Sequence, residues 1–247
     1  MILMNASVLI RVKNERETLA QVLSLLKAQT VQSFEVIVVD DNSTDGSDTL
    51  AYQYFDRDRV KVVTVPEGSF THPYSCNLGA QVASGKYLVY LNGHAFPISH
   101  TWLEDGLNNF AEENVAGVFA YPFANKKAGN IEKFRNHINA LVHSQRIVFR
   151  RYQIGVLGTT NAIIRKSLWE EYNFNEGYIE GGEDGDWARY WLAKNYVIIH
   201  DPQFRVYHSH NLPFIELLKE QMRWIRMSRP LKDEKRMSAA NLFFKKE

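Results

Sequence analysis

The chain has little of what would place it outside a reducing, aqueous compartment. One cysteine, Cys76, stands among 247 residues, so no disulfide can form within the chain. The opening Met1-Ile2-Leu3-Met4-Asn5 offers neither a charged leader nor an apolar stretch of export length, and a cytoplasmic location is the expectation. Apolar runs such as Tyr87 to Leu91 fall far below the roughly 20 residues needed to cross a bilayer. Charge of one sign is missing too: 29 Lys and Arg balance 28 Asp and Glu, so no overall field argues for a nucleic-acid partner. Absent also are GxGxxG after the first strand, GxxxxGK[ST], HExxH, paired CxxC and a GxSxG elbow, which removes the main support for dehydrogenase, P-loop and hydrolase readings.

What is present is a globular composition, 45% hydrophobic and 23% charged, organised by alternating periods. Strands are predicted over Ser7 to Val12, Phe34 to Asp40, Val60 to Val65 and Tyr87 to Leu91, separated by helices over Glu17 to Ala28, Asp48 to Tyr54 and Ser75 to Ala83. Asn14 is a candidate cap for the first helix. This alternation predicts an α/β fold with a mostly parallel central sheet flanked by helices. Beyond it, Thr101 to Glu112 reads as helix, Ala116 to Tyr121 as strand and Asn125 to Gln153 as a charged stretch with helical spacing. A strand at Ala162 to Arg165, a Gly-rich turn at Gly177 to Gly185, a helix to about Lys194 and strands at Val197 to Ile199 and Phe204 to Tyr207 complete the domain.

Polar clusters sit just past the carboxyl ends of the predicted strands, where open α/β sheets bind ligands. Asp40-Asp41-Asn42-Ser43 either contacts a base or ribose or forms a solvated turn in which Asp45 or Ser47 caps the next helix. Asn92-Gly93-His94-Ala95 pairs an imidazole with a glycine that permits close approach, although a histidine after a strand is more often a structural hydrogen-bonding residue than a ligand. Glu180 to Asp186 holds four carboxylates beside three glycines, and their mutual repulsion raises a proton affinity toward that of a general base. Capping of the following helix by Asp184 or Asp186 is the structural alternative. Tyr207-His208-Ser209-His210 sets two imidazoles at alternate positions, a spacing compatible with a borderline metal or a phosphate.

In order, Ser7-Val8-Leu9-Ile10-Arg11-Val12-Lys13-Asn14-Glu15, Phe34 through Ser47 with its Val-Val-Asp-Asp-Asn-Ser-Thr-Asp-Gly-Ser string, Asn77-Leu78-Gly79-Ala80 and Gly182-Glu183-Asp184 resemble family 2 glycosyltransferases of the GT-A fold. Phe70-Thr71-His72, Ala95-Phe96-Pro97 and Val206 to Asn211 look closest to the rhamnosyltransferase-like branch. The resemblance covers about residues 5 to 210 and implies inverting transfer of a sugar from a UDP- or dTDP-linked donor to a glycan or lipid-linked hydroxyl. It implies that Val12, Glu15 and Asp41 hold the nucleoside, that His72, Asn77, Asn92 and Gly93 line the donor, that Asp184 is the general base and that Glu183 orients the acceptor.

Two departures bear on the chemistry. The family usually carries an Asp-x-Asp-like pair at the fourth strand's end, and here Asn92-Gly93-His94 supplies no carboxylate. His94, His208 and His210 then form a nitrogen-rich candidate site favouring Mn²⁺ over Mg²⁺. Neutralisation by cationic side chains without a metal, and a catalytically silent nucleotide-sugar-binding module acting through a partner, stand beside it. The second departure is Cys76, where many relatives carry Arg. Residues 1 to 212 are expected to form the transferase domain. Residues 213 to 247, with nine Lys or Arg against five Asp or Glu, are expected to form a basic amphipathic helix and tail, packed on the domain or contacting an anionic membrane at its inner face.

Overall fold

The chain builds strand β1 (Ala6–Val12), helix α1 (Arg16–Lys27), β2 (Phe34–Asp40), β3 (Val60–Thr64), α2 (His72–Val82), β4 (Tyr87–Asn92) and β5 (Phe96–Pro97). There follow α3 (Trp102–Asn108), β6 (Val115–Phe119), α4 (Asn130–Val142), β7 (Ile147–Phe149), β8 (Asn161–Arg165), α5 (Lys166–Glu171), α6 (Glu183–Ala193), β9 (Val197–His200), β10 (Val206–Tyr207) and α7 (Phe214–Met227). The structure is a computed structural model that describes residues 5–125, 128–210, 213–227 and 229–230. Residues 231–247, including Phe243 and Phe244 of the expected tail, lie outside the described residues.

Eight strands form one sheet in the order β3-β2-β1-β4-β8-β6-β9-β7. Strands β3, β2, β1 and β4 run parallel, as the alternation of largely apolar strands with helices predicts for a sheet covered on both faces. Strand β8 enters antiparallel between β4 and β6, so its first residue, Asn161, lies opposite Leu91 at the carboxyl end of β4. Alternate side chains of β1 serve two cores. Val8, Ile10 and Val12 pack with Leu19, Val22, Leu23 and Leu26 of α1 and with Trp102 of α3, while Leu9 packs with Cys76 and Ala80 of α2 and Trp187 and Trp191 of α6. Each such buried side chain contributes about 1.5–3 kcal/mol before chain entropy is subtracted.

Three expected elements differ. The helix expected over 48–54 is only a 3₁₀ turn at Leu50–Gln53, since just Leu50 and Ala51 find core to bury against. The strand expected from Phe204 shrinks to Val206–Tyr207, which leaves the main sheet and pairs with β5. Asn14 does not cap α1. It sits at φ 51° and accepts from the Thr44 N–H, while Asp45 Oδ2 takes the Arg16 N–H at 3.0 Å and Ser47 Oγ takes the Glu15 N–H at 3.0 Å. Asp45 and Ser47 therefore serve the helix before their loop rather than the one after it, and the Ser47 hydroxyl, donating to Asp45 Oδ1 at 2.6 Å, followed by the Arg16 N–H, holds the Asp45 carboxyl below its ordinary range.

Asn77, on α2, locks the segment after α5 to the sheet. Its Nδ2 donates to Phe174 O and Glu176 Oε1, and its Oδ1 accepts from Trp169 Nε1 and the Phe174 N–H. At 1% exposure this amide is fully used. Asn77→Ala leaves the buried Trp169 and Phe174 donors unpaired and should cost about 2–4 kcal/mol in urea unfolding, with the m-value unchanged.

Candidate active site

The carboxyl ends of β1, β2 and β4, the loop before β8 and the start of α6 come together at one edge of the sheet. At their meeting point lies Arg11, which the sequence reading passed over. Its side chain, 9% exposed, points from β1 toward the α2 and α6 face. Nη2 donates to Asn92 Oδ1 at 2.7 Å and to Thr159 O at 3.2 Å, and Nη1 meets His72 Nδ1 at 3.2 Å. Among the described residues it forms no ion pair with a carboxylate. Burial, followed by the fields of Arg11 and Arg223, depresses His72 to about 4, so this ring is neutral and accepts the guanidinium N–H. The missing signal was placement: an Arg inside an apolar strand reads as an interruption, not as a residue aimed at a site.

The acidic pair opens α6. Gly182, at φ 105°, is its N-cap, so neither Asp184 nor Asp186 caps the helix through its side chain. Asp186 instead accepts from the hydroxyls of Tyr172 and Tyr178. Asp184 Oδ1 accepts from the Gly185 N–H at 2.7 Å and Oδ2 from the Thr159 N–H at 3.3 Å. Thr159 thus links Asp184 to Arg11 through its two backbone groups. Glu183 is 2% exposed and its Oε2 has no partner among the described residues. Burial and then the Asp184 charge push its carboxyl up to about 8, while Asp184 is raised by burial and restrained by its two backbone donors. The pair therefore divides into a buried proton-holding acid and a better solvated, hydrogen-bonded carboxylate. Glu183, expected to orient the acceptor, is buried beside Asp184.

The three histidines expected as ligands come together. His94, His208 and His210 each present a nitrogen, and these atoms all lie within 4.8 Å of one another. His94 stacks on His208 at 4.7 Å, and His210 stands edge-on to both. Antiparallel pairing of Tyr207 with Phe96 in the β5–β10 ribbon brings the two sequence regions side by side. Glu15 Oε1 binds His94 Nδ1 at 2.6 Å, leaving Nε2 of His94, like that of His208, buried without a partner among the described residues. Such a set fits a borderline divalent cation, with Glu15, expected to hold the nucleoside, bound here to His94 Nδ1.

The other expected donor residues divide. Asp41 is 6% exposed and paired with Lys13 at 2.7 Å at the end of β2. Asp40 and Ser43 bond to each other within the loop, since Oδ2 accepts from the Ser43 N–H. Val12 contributes its carbonyl to the Asp41 N–H and its side chain to the core. Gly93 admits close approach, but of protein: a Cβ there would collide with Glu15 Oε2 and Val12 Cγ1. Cys76 is buried and its thiol is pushed up to about 12, so it is no nucleophile; Arg11 lies near it and brings the cation that this position lacks.

A sheet whose first four strands run parallel, with an acidic pair opening a helix at its carboxyl edge, has the GT-A fold of glycosyltransferases. The sequence model of Glycosyl transferase family 2 matches residues 7–172, and the chain belongs to that family of glycosyltransferases. Glycosyltransferase AglE of Haloferax volcanii is 27% identical over 227 residues, 88% of this chain and 70% of that protein. The GalNAc(5)-diNAcBac-PP-undecaprenol beta-1,3-glucosyltransferase of Campylobacter jejuni is 24% identical over 94% of this chain and 75% of its own. Among solved structures, the mannosyltransferase PcManGT from Pyrobaculum calidifontis, in complex with GDP-Man and Mn²⁺, superposes with a TM-score of 0.68 at 18% identity, over 89% of this chain and 60% of that one. S. aureus TarS in complex with UDP-GlcNAc superposes at 0.60 with 18% identity, over 94% of this chain and 69% of that one.

Glu183 binds a proton more tightly folded than unfolded, so the native state gains protons between about 4.5 and 8, and stability falls as pH rises through that window. Glu183→Gln should flatten this decline, its advantage over the wild type growing from pH 5 to pH 8 in parallel denaturant titrations. Arg11→Gln should raise the acid limb of the kcat profile, because the cation facing Glu183 and Asp184 is lost, with Arg11→Lys restoring part of the shift.

Proposed function

We propose that the chain transfers a hexosyl or deoxyhexosyl group, with inversion, from a UDP- or dTDP-linked donor to a hydroxyl of a glycan or lipid-linked acceptor in the cytoplasm. The observation that carries this reading is the Glu183–Asp184 pair at the start of α6, tied through Thr159 to Arg11 and Asn92 at the ends of β1 and β4. Asp184 is the general base. It takes the acceptor proton as that oxygen bonds to the anomeric carbon, and the bond from that carbon to the diphosphate breaks on the opposite side. Glu183 keeps its own proton, so the pair carries one negative charge and Asp184 stays available. Asp41 receives the base, Asn92 and His72 are held in place by Arg11, and the uncompensated guanidinium draws the diphosphate toward the floor of the cleft.

His94, His208 and His210 would hold a divalent cation, Mn²⁺ in preference to Mg²⁺ because all three donors are nitrogen. The ion would add positive charge beside the departing diphosphate. The undecaprenol-linked substrate in the Campylobacter relative's name, and the Mn²⁺ bound to the Pyrobaculum enzyme, support the acceptor class and the cation. The silent-module alternative is not favoured, since both members of the acidic pair are present and oriented.

Asp184→Asn should lower kcat by about 10²–10⁴-fold while donor nucleotide affinity, measured by calorimetry, stays within a few-fold. Unchanged turnover would remove the base from this residue. EDTA should abolish transfer, Mn²⁺ should restore it, and His94→Ala should weaken Mn²⁺ binding followed by electron paramagnetic resonance. Full activity in chelator would assign neutralisation of the diphosphate to Arg11.

A further inference from the structure

Helix α7 joins the two halves of the site. It begins four residues after His210, and its last residue, Met227, is buried against Gly181 and Gly182, immediately before Glu183. Arg226 pairs with Glu180 at 3.1 Å, and Arg223 lies close enough to His72 to be felt by that ring. Among the described residues, the inward contacts of α7 thus reach the turn that opens α6 and the His72 ring.

Its outward face is apolar. Ile215, Leu218, Met222 and Ile225 recur at helical spacing and are 38 to 67% exposed. At about 100° per residue, Lys219, Arg223 and Arg226 follow one border of this stripe. Ile179, exposed beside Glu180, extends the apolar surface past the end of the helix. A second stripe, Phe134, Ile138, Leu141 and Val142 on α4, is also exposed. Both helices leave one corner of the fold, where Phe123 bridges Tyr207 and the Asn125 N–H meets Ser209 Oγ.

We propose that the outward face of α7 docks on an anionic lipid bilayer and so fixes the catalytic cleft at the membrane surface. A second copy of the chain is a poorer occupant, because a twofold contact would set the basic border against itself, whereas anionic headgroups complement it. Long basic side chains at the edge of an apolar stripe reach the headgroups while the stripe sinks into the acyl boundary. The exposed pairs of Lys219 with Glu216 and Arg226 with Glu180 are too weakly held to prevent this. With 14 residues, α7 lies on a bilayer rather than through it, and no helix among the described residues is long and apolar enough to span one. The inference deepens the lipid-linked acceptor of the proposed function: a surface-bound helix whose end packs against the glycines before the acidic pair brings an acceptor headgroup to Asp184.

The test is flotation of the full chain with vesicles of equal parts phosphatidylglycerol and phosphatidylcholine, without donor or acceptor. Binding is expected, weaker by at least about tenfold on pure phosphatidylcholine. The double substitution Leu218→Glu with Met222→Glu, both on the exposed face, should lower vesicle affinity by at least about tenfold and leave the melting temperature and transfer to a detergent-free soluble acceptor unchanged. Equal binding by wild type and variant, or no binding to anionic vesicles, overturns the proposal. A dimer in sedimentation that the same variant dissociates, with no vesicle binding, overturns it in favour of a second copy. Vesicle binding without any sugar transfer would instead refute the proposed reaction and leave the docking surface standing.

Discussion

The site depends on one buried guanidinium. Arg11 is a cation placed among apolar strands, and burying such a charge is costly unless its N–H groups are satisfied. Asn92, Thr159 and His72 satisfy it, and they come from β4, the loop before β8 and the first turn of α2. Three chain segments are therefore drawn to one point. Through the other backbone group of Thr159, the same point fixes Asp184. With a carboxylate at position 92, Arg11 would be neutralised locally; with an amide, its charge remains for the acidic pair and for a phosphorylated ligand.

The acidic pair shows how environment separates two similar groups. Both carboxyls sit at the start of α6, yet among the described residues one has a buried oxygen without a partner and the other receives two backbone N–H groups. Desolvation dominates for Glu183, and hydrogen bonding to the charged form tempers it for Asp184. A shared proton then has a preferred home, and the free lone pairs of the pair lie on the side chain nearer the cleft. The histidine cluster follows a comparable logic: Glu15 occupies one nitrogen of His94 and thereby presents the other.

Several residues of the polar motifs hold the scaffold. The Asp-Asn-Ser-Thr-Asp-Gly-Ser loop spends Asp45 and Ser47 on the free N–H groups of α1 and Asn14 on the loop in return. Asn77 joins α2 to the segment after α5, and Gly93 makes room for Glu15. These are not idle positions, since they place Asp41, His94 and the acidic pair, but they act through other residues. A polar motif after a strand marks the place of a site without saying which of its side chains faces a ligand.

Local pattern in the sequence determined β1 to β4, α1, α2 and α6 almost to their ends, because period and burial there follow from neighbours along the chain. It also determined that Asp184 follows a glycine turn and that His94, His208 and His210 sit at strand ends. Tertiary structure alone decided the rest. The two-residue strand β5 contains a proline and has no period to read, yet its pairing with β10 assembles the histidine cluster. The insertion of β8 between β4 and β6 joins residues far apart in sequence and brings Thr159 beside Arg11. The seating of α7 against the start of α6 depends on Met227 meeting Gly182, where a side chain in place of the glycine would collide with the helix backbone. Such contacts are set by packing between distant segments, and local periodicity carries no record of them.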